Sequence, residues 1–437
     1  MNNTRDFLPT IITKSATDFY VPLSKGHRAR RDLFAIYWAY YRGHHRKPIK
    51  VKAGQADDNV IINWSKKVVN TGVSFLFGKP VTFEIADDAT RSPAEEWLDS
   101  IWSNDPKTGF SAQVFLEKLA QNGAVSGTAF VKLHAPDDAH ELPYMRAIDP
   151  AIADIITAAD DVDTVLAYHL VWRSGDEWKR QRIERDGMIW RIFEEVHTRA
   201  DVWRVDDEIA WEYDFPPVFH CQNLALANSQ WGLSDLEDAD LNDAINFVTS
   251  NMNRIIRYHA HPKTIGTGFA ANQLQTTAVD QFWAIPASDA KVANLEMQSE
   301  LSSSRQHRAD LEEAYHQVTD VPRLDPAQVN LGALSGFALK ILYGPLLSKT
   351  NRKRGTYGAL LQQINRALLV LGGYDDDVVT NVWPDPLPSN TMEQAQLFAT
   401  LATATGGNTQ AAAKVAGYNR DEVAELGQGD FFMDVEQ

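Results

Sequence analysis

The sequence predicts an α+β fold: a β-rich region carried on helices, then two long helices joined by a small β unit. Three observations carry that expectation. Apolar residues recur at helical spacing in two stretches, first Ile61, Trp64, Val68 and Phe75, then Leu241, Ile245, Val248, Met252, Ile255 and His259. From Thr128 to about Phe219 the pattern alternates instead, and is rich in β-branched and aromatic residues, as in TVLAYHLVWRS and MIWRIFEEVH. Glycine and proline then cut the C-terminal third into separate helical pieces.

In order along the chain, residues 1–60 read as mostly helical around the aromatic run FAIYWAYYRGHH, followed by the polar KAGQADDN. The helix that begins near Ile61 stops at Gly78-Lys79-Pro80, ahead of a short strand over Val81–Ile85. A second helix, about Ala112–Asn122, leads through Gly123 and Gly127 into the strand-like TAFVKLHA. Turn signals in the β-rich region fall at Ser174-Gly175, Asp186-Gly187 and Asp206-Asp207. At Gly232 the character changes. Ser234 is the expected N-cap, acidic residues follow it, and Arg254 and Arg257 stand near the far end, a polarity that suits the helix dipole. A helix of about 24 residues there would be ~36 Å long. Pro262 and the Gly266/Gly268 pair end it, and residues 263–297 hold short strand-like pieces. A polar helix from about Glu300 to Thr319 has Leu311, Tyr315 and Val318 as its seam. Next, the small flexible stretch Asn330–Gly336 opens an apolar helix, which Gly344-Pro345 must kink or end. The helix resumes through Leu360, Leu361, Ile364 and Leu368 and stops at Gly372-Gly373. Beyond the joint WPDPLPSN, residues 391–427 read as short alanine-rich helices.

A chain of 437 residues divides into about two to four folding units. With 44% hydrophobic and 23% charged residues it is ordinary globular protein rather than disordered chain. One cysteine, Cys221, allows neither an intrachain disulfide nor a thiolate metal cluster, which fits a reducing compartment. No apolar run reaches the length of a membrane span, and MNNTRDFLPT lacks a signal-peptide core, so a soluble cytoplasmic product is expected. The net charge of −16 is uneven. Residues 1–52 hold eleven Lys/Arg against Asp6, Asp18 and Asp32, leaving the remainder strongly acidic. An acidic body argues against gripping nucleic acid by its phosphates, but not against letting DNA slide past. The basic segment reads first as a solvated face, with contact to a partner or to nucleic acid as the alternative.

The residues demand no particular chemistry. A glycine-rich loop opening a helix suits phosphate, yet Gly332–Gly336 has no Lys beside its last glycine, and Lys340 lies a turn inside the helix. Gly78-Lys79-Pro80 resembles a P-loop fragment, but proline stands where the hydroxyl residue belongs. His44-His45 point apart, and His259 lies on an apolar seam. Asp375-Asp376-Asp377 and Asp160-Asp161/Asp163 read as solvated turns before they read as magnesium sites. There is no GxSxG elbow and no HExxH, and Cys221 reads as core. No cofactor or metal is expected.

Four stretches, taken in order, resemble the portal proteins (head–tail connectors) of tailed bacteriophages. They are NWSKKVVNTGVSFLFGKPVTF (Asn63–Phe83), QNGAVSGTAFVKLHAP (Gln121–Pro136), NLALANSQWGLSDLEDADLNDAINFVTSNM (Asn223–Met252) and LGALSGFALKILYGPLLSKTN (Leu331–Asn351). The resemblance spans about residues 60–372; residues 1–60 do not match it. It implies a portal-like α+β subunit with an α/β wing over 1–232 and a first stem helix over 233–262. A small β-containing clip follows over 263–298, then a second stem helix over 299–322, a tunnel loop over 323–336, a kinked helix returning to the wing over 337–388, and an α-helical crown over 389–437.

It further implies a non-enzymatic ring of about twelve identical subunits at one capsid vertex, around a channel through which double-stranded DNA passes without sequence recognition. The partners implied are the terminase large subunit, which carries the ATPase, head-completion or adaptor proteins, scaffold and major capsid proteins; no membrane is involved. The place is the virion, after assembly in the host cytoplasm. Asn330, Leu331, Gly332, Leu334 and Ser335 would face DNA, Gly344 and Pro345 would form the kink, and Phe282 and Trp283 would anchor partners at the clip. Lys349, Arg352, Lys353 and Arg354 would pair with a neighbouring subunit. Two alternatives stay open at this point: a minor capsid or scaffold-associated protein without a DNA channel, and a hydrolase using Asp375 to Asp377.

Overall fold

The computed structural model describes residues 23–51, 53–54, 57–85, 91–103, 109, 111–137, 140–197, 202–260, 263–267, 291–295, 301–323, 336–375, 377–387, 391–404, 412 and 416. They fall into two units. One takes in the described residues of Met1–His44, Trp64–Ala239 and His316–Gln437, the other those of His45–Asn63 and Asp240–Tyr315.

In the first unit, α1 (Lys25–Tyr41) begins at Ser24, whose hydroxyl accepts from His27 N, and buries Phe34 and Tyr37. Helix α2 (Trp64–Phe77) stops where expected. Gly78 N–H closes on Ser74 O at 2.9 Å, and a Cβ on Gly78 would lie 2.2 Å from that carbonyl. Strand β1 (Thr82–Glu84) follows. Helix α3 (Pro93–Ser103) was not anticipated, although its start is a capping box: Glu95 N–H donates to Ser92 Oγ, and Ser92 N–H to Glu95 Oε2 at 2.8 Å. Helix α4 (Ala112–Ser126) runs past the expected end, to Gly127 at φ 81°.

Strand β2 (Thr128–His134) is central in an antiparallel sheet of order β3-β2-β9, with β3 at Tyr144–Ile148 and β9 at Val218–Gln222. Between β3 and β9 runs a five-stranded antiparallel meander: β4 (Ala153–Thr157), β5 (Val165–Ser174), β6 (Glu177–Asp186), β7 (Ile189–His197) and β8 (Trp203–Trp211). Ser174-Gly175 and Asp186-Gly187 do turn hairpins. Asp206-Asp207 does not. It lies inside β8, where Glu194 opposes Asp207 and Glu195 opposes Val205, so that Asp206 is the extra residue of a bulge.

Further on, α7 (Gly336–Leu342) and α8 (Gly344–Leu371) are separated by Tyr343 alone. Pro345 sits in the first turn of α8, where its missing N–H leaves no intrahelical bond unmade. Helix α8 has 28 residues and ends at Gly372 as expected. Its Tyr357, Leu360, Leu361, Ile364 and Leu368 share one core with Phe77, Leu98, Trp102, Phe130 and Phe219. Strand β12 (Thr380–Val382) returns to pair antiparallel with β1, and α9 (Thr391–Ala404) follows. Among the described residues no helix is long and apolar enough to cross a membrane.

In the second unit, α5 (Asp240–Ala260) starts later than expected, because residues 235–239 form turns. Strands β10 (Lys263–Thr267) and β11 (Lys291–Leu295) pair antiparallel, and α6 (Ser302–Thr319) follows. On α6, Tyr315 is buried but Val318 is 50% exposed, so the buried face is that of Glu312, Tyr315 and Thr319 rather than the expected seam. Residues up to 60 were expected to be mostly helical, but the described residues of 45–63 form no helix and lie along α5 instead. Ile62 N–H donates to Asn246 Oδ1 at 2.9 Å, Asn242 Nδ2 to Ile62 O at 2.8 Å, Val60 N–H to Ser250 Oγ at 2.9 Å and Asn253 Nδ2 to Asp58 O at 3.1 Å. Asn242, Asn246 and Ser250 stand four residues apart, so they share one face of α5, and all three are fully buried. Asp58 is buried with the Arg257 guanidinium at 2.7 Å.

Candidate functional site

The four stretches that carry the resemblance meet at one buried carboxylate, Asp235. Two glycines make the approach possible. Gly127, just past α4, and Gly232 touch backbone to backbone: a Cβ on Gly127 would lie 2.3 Å from Gly232 O, and one on Gly232 would lie 2.5 Å from Gly127 O. Polar groups fasten the contact. Gly232 N–H donates to Thr128 Oγ1 at 3.0 Å and Asn223 N–H to Gly127 O at 2.8 Å. Ser234 Oγ, accepting from Leu236 N–H, donates to Val125 O at 2.7 Å, so its hydroxyl caps a turn against α4 rather than opening α5.

Asp235 follows directly. Its N–H donates to Ala124 O at 2.8 Å, and its carboxylate takes Lys353 Nζ at 2.5 Å, Lys349 Nζ at 3.3 Å and Asn223 Nδ2 at 3.3 Å. On the α2 side, Gly72 leaves the room: a Cβ there would stand 3.2 Å from Asp235 Oδ2 and 3.5 Å from Lys353 Nζ. Burial alone would push the Asp235 carboxyl up, but the Lys353 and Lys349 ammoniums outweigh it and hold the group below the usual carboxylate range. Lys353 is pulled below the ordinary ammonium value by burial, opposed by Asp235, with Lys349 adding to the downward pull. Two ammoniums thus share one carboxylate.

Lys349 Nζ also donates to Thr319 O at 3.0 Å, a cation on the last carbonyl of α6. Arg352 reaches Asp320 at 3.6 Å, and His316 Nδ1 is 2.8 Å from Val321 O. The chain is therefore fastened to α8 just before residue 324. A carboxylate enclosed in this way suits holding segments in register rather than turning over a substrate.

The expected site residues fall as follows. Asn330, Leu331, Gly332, Leu334 and Ser335 lie outside the described residues, as do Phe282 and Trp283. Gly344 and Pro345 open α8 after the break at Tyr343. Lys349 and Lys353, expected to pair with a neighbouring subunit, are buried on Asp235 within the chain. Arg354 donates to Pro384 O at 2.6 Å and lies over Trp383. Arg352 is the exposed member, its side chain 63% accessible. Lys79 donates to Asp385 O at 2.6 Å and Leu387 O at 3.0 Å, main-chain carbonyls rather than a phosphate site. Asp375 and Asp377 are exposed, Asp376 lies outside the described residues, and no metal-holding group of His, Cys, Asp and Glu occurs among the described residues. Cys221 is buried, and burial pushes its thiol well up.

Asp235, Asn223 and Gly72 were not singled out from the sequence. The available signal was the glycines of separate stretches, Gly72, Gly127 and Gly232, each marking a close approach.

A model of the phage portal protein family described as SPP1 Gp6-like matches residues 25–428. No curated protein matches the sequence. Among solved structures, the chain is similar to a chain from the neck of a native GTA particle computed with C12 symmetry (13% identity, 81% of this chain and 89% of that one, TM-score 0.47). It is also similar to one from the neck of an empty GTA particle computed with C6 symmetry (15%, 78% and 86%, TM-score 0.49). A third is from the virion of a native gene transfer agent particle (14%, 78% and 85%, TM-score 0.45).

Proposed function

The chain belongs to the SPP1 Gp6-like family of phage portal proteins, and from that premise we propose that it forms a ring of about twelve identical subunits at one capsid vertex, around a channel for DNA packaging and ejection. The observation that carries this reading is the family match across residues 25–428. The charge agrees with it. About twelve copies at −16 each sum to a formal charge on the order of −190, which repels phosphates and lets a duplex slide. In this reading Asn330, Leu331, Gly332, Leu334 and Ser335 approach the duplex by shape, and Gly344-Pro345 sets the bend between α7 and α8. The clip, residues 263–298, docks the terminase and later the head-completion proteins through Phe282 and Trp283. The ATPase is the terminase, a separate protein, and this chain acts as conduit and docking site in the virion. Arg352 is the exposed member of the expected inter-subunit cations.

Native mass spectrometry with negative-stain images tests the ring. Rings of about a dozen subunits with an axial hole are expected; a monomer that persists at high concentration would refute the proposal. Deleting Leu331 to Leu334 is expected to leave rings intact and abolish packaging, and normal packaging by that variant would remove the loop's role.

A further inference from the structure

The first unit carries a groove of about 800 Å³ between the loop after β9, the start of β5 and the outer face of α8. Leu226, Ala225 and Ala359 give it apolar surface, Thr356 and Gln363 supply neutral polar groups, and Asp163 is the one acidic side chain in its wall. The loop is strongly built. Gln222 bridges it, donating to Ser229 O and accepting from Leu226 N–H at 2.6 Å, and Gln230 Nε2 ties it to Val162 O at 2.7 Å. Even so, the loop leaves Leu226 43% exposed, and beside it the turn with Asp160 and Asp161 leaves Val162 38% exposed. A trough of mixed polar and apolar surface, with one exposed leucine and an acidic rim, suits an apolar side chain flanked by polar groups and cations.

The same unit presents such a surface elsewhere. Helix α1 turns Phe34 and Tyr37 inward, while Lys25, Arg28, Ala29, Arg31 and Asp32 lie outward and Leu33 is 42% exposed, so that the cations of this face outnumber its one carboxylate. This is the basic end of an otherwise acidic chain. Groove and helix are the two ends of one row of rings: Phe34 to Trp231 at 6.1 Å, Trp231 to Phe130 at 5.6 Å, Phe130 to His220 at 5.7 Å and His220 to Tyr168 at 5.6 Å. Phe34 belongs to α1, and Tyr168 and His220 line the groove.

We propose that the groove of one subunit receives the outer face of α1 from the next copy of this chain, Leu33 entering beside Leu226 while Lys25 and Arg28 face Asp160 and Asp163. The two surfaces differ, so the contact is head-to-tail, the kind that repeats around an axis instead of stopping at a dimer. The opposite signs of rim and helix orient the encounter and reject the reversed pairing. This interface rests on the ring reading and specifies which surfaces would close it.

Leu33→Cys combined with Leu226→Cys tests the contact by oxidative cross-linking of assembled protein. Because Cys221 lines the same groove, every variant also carries Cys221→Ala, which leaves the introduced cysteines as the only thiols in the chain. A ladder of covalent oligomers from the double variant, absent from either single variant, is the expected result. Rings seen by native mass spectrometry with no ladder would overturn this interface and leave the ring standing. A ladder without closed rings would keep the interface and refute the ring; neither would refute both. A charge exchange reads the same contact without new cysteines. Asp160→Lys with Asp163→Lys is expected to weaken association roughly tenfold, and adding Lys25→Glu with Arg28→Glu to restore it to within about threefold. Unchanged association in the first of these variants would also overturn the proposal.

Discussion

Asp235→Asn keeps the size of the side chain and removes the one negative charge shared by Lys353 and Lys349. The three side chains are 1%, 3% and 9% exposed, so water cannot take over the lost role. At the observed separations of 2.5 and 3.3 Å, each attraction is on the order of 5 kcal/mol for an effective dielectric constant of ~20. Partial relaxation and proton loss from Lys353, whose affinity for a proton burial already lowers, reduce the net cost. Breaking a buried pair from one side costs about 3–5 kcal/mol. At roughly 2.1 cal/mol/K of unfolding entropy per residue, a unit of this size loses about 1–2 °C per kcal/mol, so the midpoint should fall by roughly 5 °C. Thermal unfolding followed by circular dichroism and calorimetry reads this. Adding Lys353→Met should recover more than half of the loss, since Lys349 keeps Thr319 O. A loss below about 1 kcal/mol in the single variant, or no recovery in the double, would refute the account of Asp235 as the joint of the four segments.

Two further outcomes follow from the same site. The Asp235 carboxyl is held below its unfolded value, so its contribution is complete above the ordinary carboxylate range and is lost as pH falls through the lower folded value. Midpoints measured from pH 6 down to pH 2.5 should therefore show an acid limb that shrinks in Asp235→Asn; superimposable limbs would contradict it. Gly127→Ala places a Cβ at φ 81° and 2.3 Å from Gly232 O. It should cost roughly 2–4 kcal/mol, combining left-handed strain with a backbone clash, and a change within about 0.5 kcal/mol in denaturant unfolding would sink the close-contact argument.

Local chemistry was legible where one signal acted alone. The hairpins at Gly175 and Gly187 and the stop at Gly372-Gly373, where Gly373 has φ 77°, follow from glycine's access to backbone that other residues avoid, and the stop at Gly78 follows from its lack of a Cβ, which would lie 2.2 Å from Ser74 O. Asp206-Asp207 misled because aspartate serves a bulge as readily as a turn, and only the partner strand decides which. Helix α3 was legible in principle: Ala94, Trp97, Leu98, Ile101 and Trp102 fall at helical spacing, and Ser92 with Glu95 form its capping box, but the helix is only eleven residues long and is followed at once by further polar sequence. Ser234 has the chemistry of a cap, but the chain turns five residues longer before α5 begins. For Lys349 and Lys353 the sequence offered charge without burial. A cation in a basic run looks exposed until its carboxylate, more than a hundred residues upstream, is placed beside it.

The clasp of residues 58–62 by α5 has a consequence for how freely that stretch can be rewritten. Asn242, Asn246, Ser250 and Asn253 bond to its peptide groups, and Arg257 of the same helix holds the Asp58 side chain. Side-chain identity at Val60 and Ile62 is therefore only loosely constrained by these bonds, whereas their N–H groups are indispensable to them. A proline scan and an alanine scan of the same positions would give opposite results: alanine tolerated, proline at 60 or 62 disruptive, because the grip is on the main chain itself.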